Sequence, residues 1–113
     1  MDVFITFRHL EGTQGIRQYT EQKAEKLVKY LLEPVNLHVT FSLERYRHRV
    51  DITLSEKRHL LKAQGITNDM YASIDAAMHN LEEQLKKYKE KIKRHHFLRT
   101  FLEKIRSYKK RAA

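Results

Sequence analysis

The chain contains no cysteine, which removes disulfides, thiolate chemistry and cysteine-ligated zinc sites together and fits a reducing compartment. No stretch approaches the roughly 18 consecutive apolar residues of a membrane span. The N-terminus, MDVFITFRHLEG, lacks the basic and then apolar order of a secretory signal, so a cytoplasmic location is expected. Only 3 glycines and 1 proline are present, and none of them forms a glycine-rich phosphate loop. No serine or histidine stands at a spacing that suggests a nucleophile and its base. The chain is therefore expected to bind rather than to catalyse, with no cofactor. Its 113 residues suffice for one domain with a modest core and are too few for two.

Acidic residues are scarce in one region. Residues 1–85 hold 11 Lys or Arg against 12 Asp or Glu, whereas residues 86–113 hold 12 against 2, so the net charge of +9 lies in the last quarter. A positive field that concentrated speeds encounter with polyanions, and nucleic acid is the commonest polyanion a basic protein meets. The field begins inside DMYASIDAAMHNLEEQLKKYKEKIKR, residues 69–94, where Met70, Ile74, Ala77, Leu81, Leu85, Tyr88 and Ile92 recur every three or four residues. That period predicts a helix with one apolar stripe. Lys87, Lys91 and Arg94 fall along one flank of the stripe, and Lys86, Lys89 and Lys93 along the other flank and back. Glu82, Glu83 and Glu90 stand near lysines at pairing distance on the solvated face, so no acid and base pair is expected of them.

Towards the N-terminus, Val3, Ile5 and Phe7 alternate with Phe4 and Thr6, which predicts a short strand stopped by Gly12 and Gly15. Ile16, Tyr19, Ala24, Leu27, Val28 and Leu31 give a looser helical stripe, with Arg17, Lys23, Lys26 and Lys29 on its polar side; Pro34 sets the helix end near Leu32. Leu37, Val39, Phe41 and Leu43, and then Val50, Ile52 and Leu54, alternate with polar residues as strands with one buried face do. The polar link Glu44 to Arg47 is short enough for a hairpin. A weaker strand follows from about Arg58 to Gly65, with Leu61 and Ala63 inward, after a turn at Ser55, Glu56 and Lys57. Thr67 to Asp69 supply capping chemistry for the long helix. The expected class is α+β: a βαβββα order, a four-stranded sheet and two helices packed on its one apolar face, the first two strands parallel across a helical crossover.

Several of these residues also form a recognisable set: Arg8-His9 after the first strand, IRQY at 16–19, ERYRHRVD at 44–51, and above all DMYASID followed by LEEQLKKYKEK. Over residues 1 to about 95 the chain resembles the ribosome hibernation promoting factors and ribosome-associated inhibitors. The resemblance implies a βαβββα domain that binds the small ribosomal subunit in the channel used by mRNA and by A- and P-site tRNAs, and so silences idle, stationary-phase ribosomes. It places the rRNA-facing lysines of the family on Lys23, Lys26 and Lys29 of the first helix and on Lys87 and Lys91 of the second. The charge pattern adds Lys86, Lys89 and Arg94. Asn80 and Glu83 stand where many members carry Lys or Arg, so the distal end of the helix is expected to carry more of the phosphate contact than its middle.

Residues 96–113 are expected to form a basic amphipathic tail beyond the ribosome-binding domain of residues 1–95. Longer family members continue into a dimerisation domain that so few residues cannot hold. Phe97, Leu98, Phe101, Leu102, Ile105 and Tyr108 recur at helical spacing among cations. They predict a helix that prolongs or folds back on the domain, or one that docks on a ribosomal protein or a second copy; an anionic membrane is the weaker alternative. No metal site is expected, since His95 and His96 point about 100° apart on a helix and suit one ion poorly. The competing functional classes are a general structured-RNA-binding module and a protein-interaction module acting through the tail.

Overall fold

The computed structural model describes the backbone of residues 1–31, 34–56 and 59–112, with side chains throughout these ranges except 92–97 and 107–112. The order is β1 (Asp2–Arg8), α1 (Gln14–Glu25), a 3-10 turn (Val28–Tyr30), β2 (Asn36–Glu44), β3 (Arg47–Glu56), β4 (His59–Thr67) and α2 (Met70–Ala112). The strands lie side by side in chain order, β1 parallel to β2 and the later pairs antiparallel. A helical connection permits the parallel pair and tight turns the others.

Side-chain alternation decides which face is covered. Leu37, Val39 and Phe41 of β2, Val50, Ile52 and Leu54 of β3 and Ala63 of β4 are buried with Ala24, Leu27, Ile74, Ala77, Met78, Leu81 and Leu85 from the helical layer, so both helices share one face of the sheet. Phe7 of β1 stacks on Phe41 with centroids 5.0 Å apart. Thr13 caps α1 by accepting from the Ile16 N–H, and Asp69 caps α2 by accepting from the Ala72 N–H. These caps satisfy donors that the helix itself leaves orphaned.

Four local expectations are corrected. β1 ends at Arg8, before Gly12, because His9 turns the chain at φ 57°; Gly15 lies inside the first turn of α1. α1 stops at Glu25, seven residues short of Leu32, which itself lies outside the described residues. There the bonding tightens, Leu27 N–H to Ala24 carbonyl and Tyr30 N–H to Leu27 carbonyl. In a 3-10 turn residues three apart eclipse, so Leu27 and Tyr30 face the core side while Val28 is left exposed, not buried as its place in the stripe suggests. Ser55 and Glu56 extend β3 instead of forming a turn, and Lys57 and Arg58 lie outside the described residues.

α2 is the dominant element. Its 43 residues at about 1.5 Å each make a rod of roughly 64 Å, which sets the longest dimension of a molecule measuring 71 × 22 × 19 Å. The rod is buried as far as Leu85 and continues unbroken through residue 96, and Leu98, Phe101, Leu102 and Ile105 on it are exposed. Gly65 sets how closely it approaches the sheet: a Cβ there would meet the Ser73 carbonyl oxygen at 2.2 Å and the Ala77 nitrogen at 2.8 Å. Ser73, buried in this contact, donates to the His48 carbonyl at 2.7 Å and accepts from the Thr67 N–H at 3.0 Å, joining β3, β4 and α2.

Candidate nucleic-acid interface

The candidate cations are set out on two elements, and the helical geometry of α2 divides them. With 100° between residues, Asp75, Glu82, Lys86 and Lys89 share the flank that faces α1 and the 3-10 turn, whereas Gln84, Lys87 and Lys91 project towards β4. Bonds on each side fix this assignment. Gln84 donates to the Lys62 carbonyl on β4 at 2.8 Å, and Lys89 Nζ reaches the Lys29 carbonyl at 3.5 Å.

The first flank gathers around Tyr30. Its hydroxyl donates to Glu82 Oε1 at 2.9 Å, and its ring lies under Lys29 Nζ at 5.1 Å and Lys89 Nζ at 5.9 Å. Lys86 completes the group, paired with Glu83 at 3.3 Å and Glu82 at 3.7 Å. The Tyr30 hydrogen bond, aided by Lys86 and Lys29 against partial desolvation, holds Glu82 below the usual carboxylate range. Glu83 in turn raises the Lys86 ammonium above its ordinary value. A phosphate arriving here meets three ammonium groups that are held in place, two of them by ring faces.

Lys23 has a different task. It pairs with Asp75 at 3.4 Å and lies over the Tyr19 ring at 5.4 Å, while the Tyr19 hydroxyl donates to the same Asp75 at 2.5 Å. The Asp75 hydrogen bond raises both the Lys23 ammonium and the Tyr19 phenol. This cluster ties α1 to α2, so the Lys23 charge is compensated before any ligand arrives. Lys26, Lys87 and Lys91 are exposed, and among the described residues they have no carboxylate partner, which leaves them the most available of the candidates. Arg94 lies outside the described side chains, as do Lys93, Ile92, Phe97 and Tyr108 and the adjacent His95 and His96.

The structure therefore brings Lys29, Lys86 and Lys89 together, puts Lys87 and Lys91 on the opposite flank, and sets Lys23 apart. Sequence reasoning missed Tyr30, the organiser of the first group: its spacing of three from Leu27 was the available signal, but the stripe was read through Val28 and Leu31, and its partner Glu82 is 52 residues away. Among the described residues no three His, Asp or Glu side chains converge as a metal ion would require, and no helix is long and apolar enough to cross a membrane.

Against known proteins, residues 3–93 match the family described as Sigma 54 modulation protein / S30EA ribosomal protein. The chain is 35% identical over 91 residues to the ribosome hibernation promoting factor of Pseudomonas putida, a match covering 80% of this chain and 89% of that one. It is 33% identical over 95 residues to the factor of the same name from Escherichia coli, covering 84% of this chain and all of that one. Among solved structures it is similar to the N-terminal domain of Thermus thermophilus Protein Y, with a TM-score of 0.73 at 31% identity, covering 78% of this chain and 99% of that one.

Proposed function

Because the chain belongs to the Sigma 54 modulation protein / S30EA ribosomal protein family, we propose that it is a ribosome hibernation factor. It binds the small ribosomal subunit through rRNA phosphates and occupies the channel of mRNA and of A- and P-site tRNA, which stops translation on idle ribosomes. The observation that carries this reading is the availability of Lys26, Lys87 and Lys91, exposed on a fold whose relatives bear that name. Phosphates crowd around a deep RNA channel, and each one neutralised releases condensed counterions. Recognition follows RNA shape and backbone more than base sequence, as for most structured RNA. The protein acts by occupancy in the cytoplasm and catalyses nothing.

The lysines divide the work. Lys26, Lys87 and Lys91 contact phosphates directly, Lys29, Lys86 and Lys89 present a held cluster, Arg94 adds a further cation to the RNA-binding set, and Lys23 contributes mainly by holding the helices together. The domain spans residues 1–95. The helical extension beyond it, carrying 6 basic residues and 1 acid from residue 97 onward, docks on a ribosomal protein, since two copies of so cationic a segment would repel one another.

Binding to purified small subunits across a salt series tests the reading. If about 6 phosphates are engaged, log K falls against log salt with a slope on the order of −4 to −5. Replacing Lys87 and Lys91 with Ala flattens it, and Lys23→Ala changes it less. A slope near zero would remove the phosphate mechanism, and equal binding to any structured RNA would point to a general RNA-binding module instead.

A further inference from the structure

A second cationic cluster lies far from the distal lysines, at the end of the sheet beside the first turns of α2. The β2–β3 connection consists of Arg45 and Tyr46 alone, between the paired residues Glu44 and Arg47. Tight hairpins ordinarily place Gly, Asn or Asp where φ is positive, yet here Arg45 holds φ 59°. Tyr46 beside it is 76% exposed, more than any other large apolar side chain among the described residues. It lies outside the core cluster, and a positive φ at the non-glycine Arg45 is the kind of backbone strain that is retained where a turn has a use.

The surroundings indicate what it meets. Arg47 is exposed next to it, and the parallel register sets Arg8 of β1 beside Ser42, two residues before the end of β2. His9 follows Arg8 as the other non-glycine residue with positive φ. Arg8, His9, Arg45 and Arg47 thus lie towards the same end of the sheet as Tyr46, with Glu44 the nearest acid along the hairpin. The Ser73 bond to the His48 carbonyl fixes this end beside the first turns of α2. Lys87 lies 14 residues further along the helix, about 21 Å at 1.5 Å per residue. That exceeds the screening length of roughly 8 Å at physiological salt, so the tip is electrostatically separate from the distal lysines of α2.

We propose that the β2–β3 tip is a second RNA contact, in which the Tyr46 ring stacks on an unpaired base and Arg45 and Arg47 hold the phosphates on either side. An exposed aromatic flanked by guanidinium groups supplies the two components that bind unpaired RNA, a π face for the base and cations for its backbone. The tight reversal at Arg45 puts Tyr46 beyond the last paired rung of the ladder, where a base can reach it. The inference rests on the RNA-binding reading above and adds a contact that the lysines do not supply.

The chain has no tryptophan, so Tyr46→Trp introduces a single indole reporter. Its emission is expected to be quenched by purified small subunits and, at higher concentration, by a short oligouridylate. Tyr46→Ala should weaken subunit binding by about 5- to 150-fold, the range of one lost base stack, with unchanged melting, and Tyr46→Phe should bind as the parent does. Wild-type affinity of Tyr46→Ala, in an assay where the Lys87 and Lys91 double substitution does weaken binding, would overturn the tip contact and leave the main reading standing. Equal losses in Tyr46→Phe and Tyr46→Ala would assign the contact to the hydroxyl and overturn stacking. Quenching of the reporter by intact subunits but not by protein-free rRNA or oligouridylate would put a protein at the tip, which also overturns it. If the parent chain binds no subunits, the RNA reading and this contact fall together.

Discussion

Tyr30 joins the lysines of the first helical segment to those of α2, and its hydroxyl makes that junction sensitive to pH. The bond to Glu82 holds the carboxyl below its usual range, so ionised Glu82 stabilises the fold above the ordinary carboxylate pKa of about 4.3. That contribution is lost as pH falls through the depressed folded value. Tyr30→Phe removes the donor, so the Glu82 pKa, read by NMR titration of its carboxyl carbon, should rise. The stability difference between the two proteins should be present at neutral pH and close on acidification. An unchanged Glu82 titration would mean that the hydroxyl does not set it. Lys23 shows the limit of reading such groups from sequence. Its place on the polar side of a helical stripe was legible, but its partner Asp75 is 52 residues away, and no local period reports a contact between two helices. Tyr46 was legible only as part of a polar link, because neither its exposure nor the positive φ of Arg45 can be read from composition.

At the scale of elements, α2 is positioned by the absence of a side chain. The space a Cβ would need at Gly65 is occupied by the α2 backbone, which cannot step aside as a flexible side chain would. Gly65→Ala should therefore lift the helix off β4 and cost about 1 to 3 kcal/mol, seen as a lower denaturant midpoint; an unchanged midpoint would show that the helix is not held there. The strands were legible because period-two alternation leaves one reading per face, as at Leu37, Val39 and Phe41. The end of α1 was not, since Ala24 to Tyr30 suit either kind of helix and only packing chooses the tighter one. The unbroken run of α2 past residue 96 has a plainer cause: no glycine or proline occurs after Gly65. The extension leaves Phe101 and Leu102 more than half exposed. Replacing Leu102 with Ser should leave stability unchanged and weaken ribosome binding by about tenfold, the order expected for losing an apolar anchor. A loss of stability would instead mean that this segment packs on its own domain.

Across the whole molecule, a small domain carries cations at both ends of its buried helix and an extended helical rod beyond them, a shape suited to reaching several surfaces of one large RNA assembly. Occupancy is the central claim, and competition measures it most directly. Small subunits are loaded with mRNA and P-site tRNA, and binding of the labelled protein is compared with that to empty subunits at one salt concentration. Mutual exclusion is predicted, with binding falling in proportion to the tRNA-loaded fraction and excess protein preventing tRNA from entering. Undiminished binding to fully loaded subunits would contradict it, because a protein lying in the channel cannot share it with tRNA.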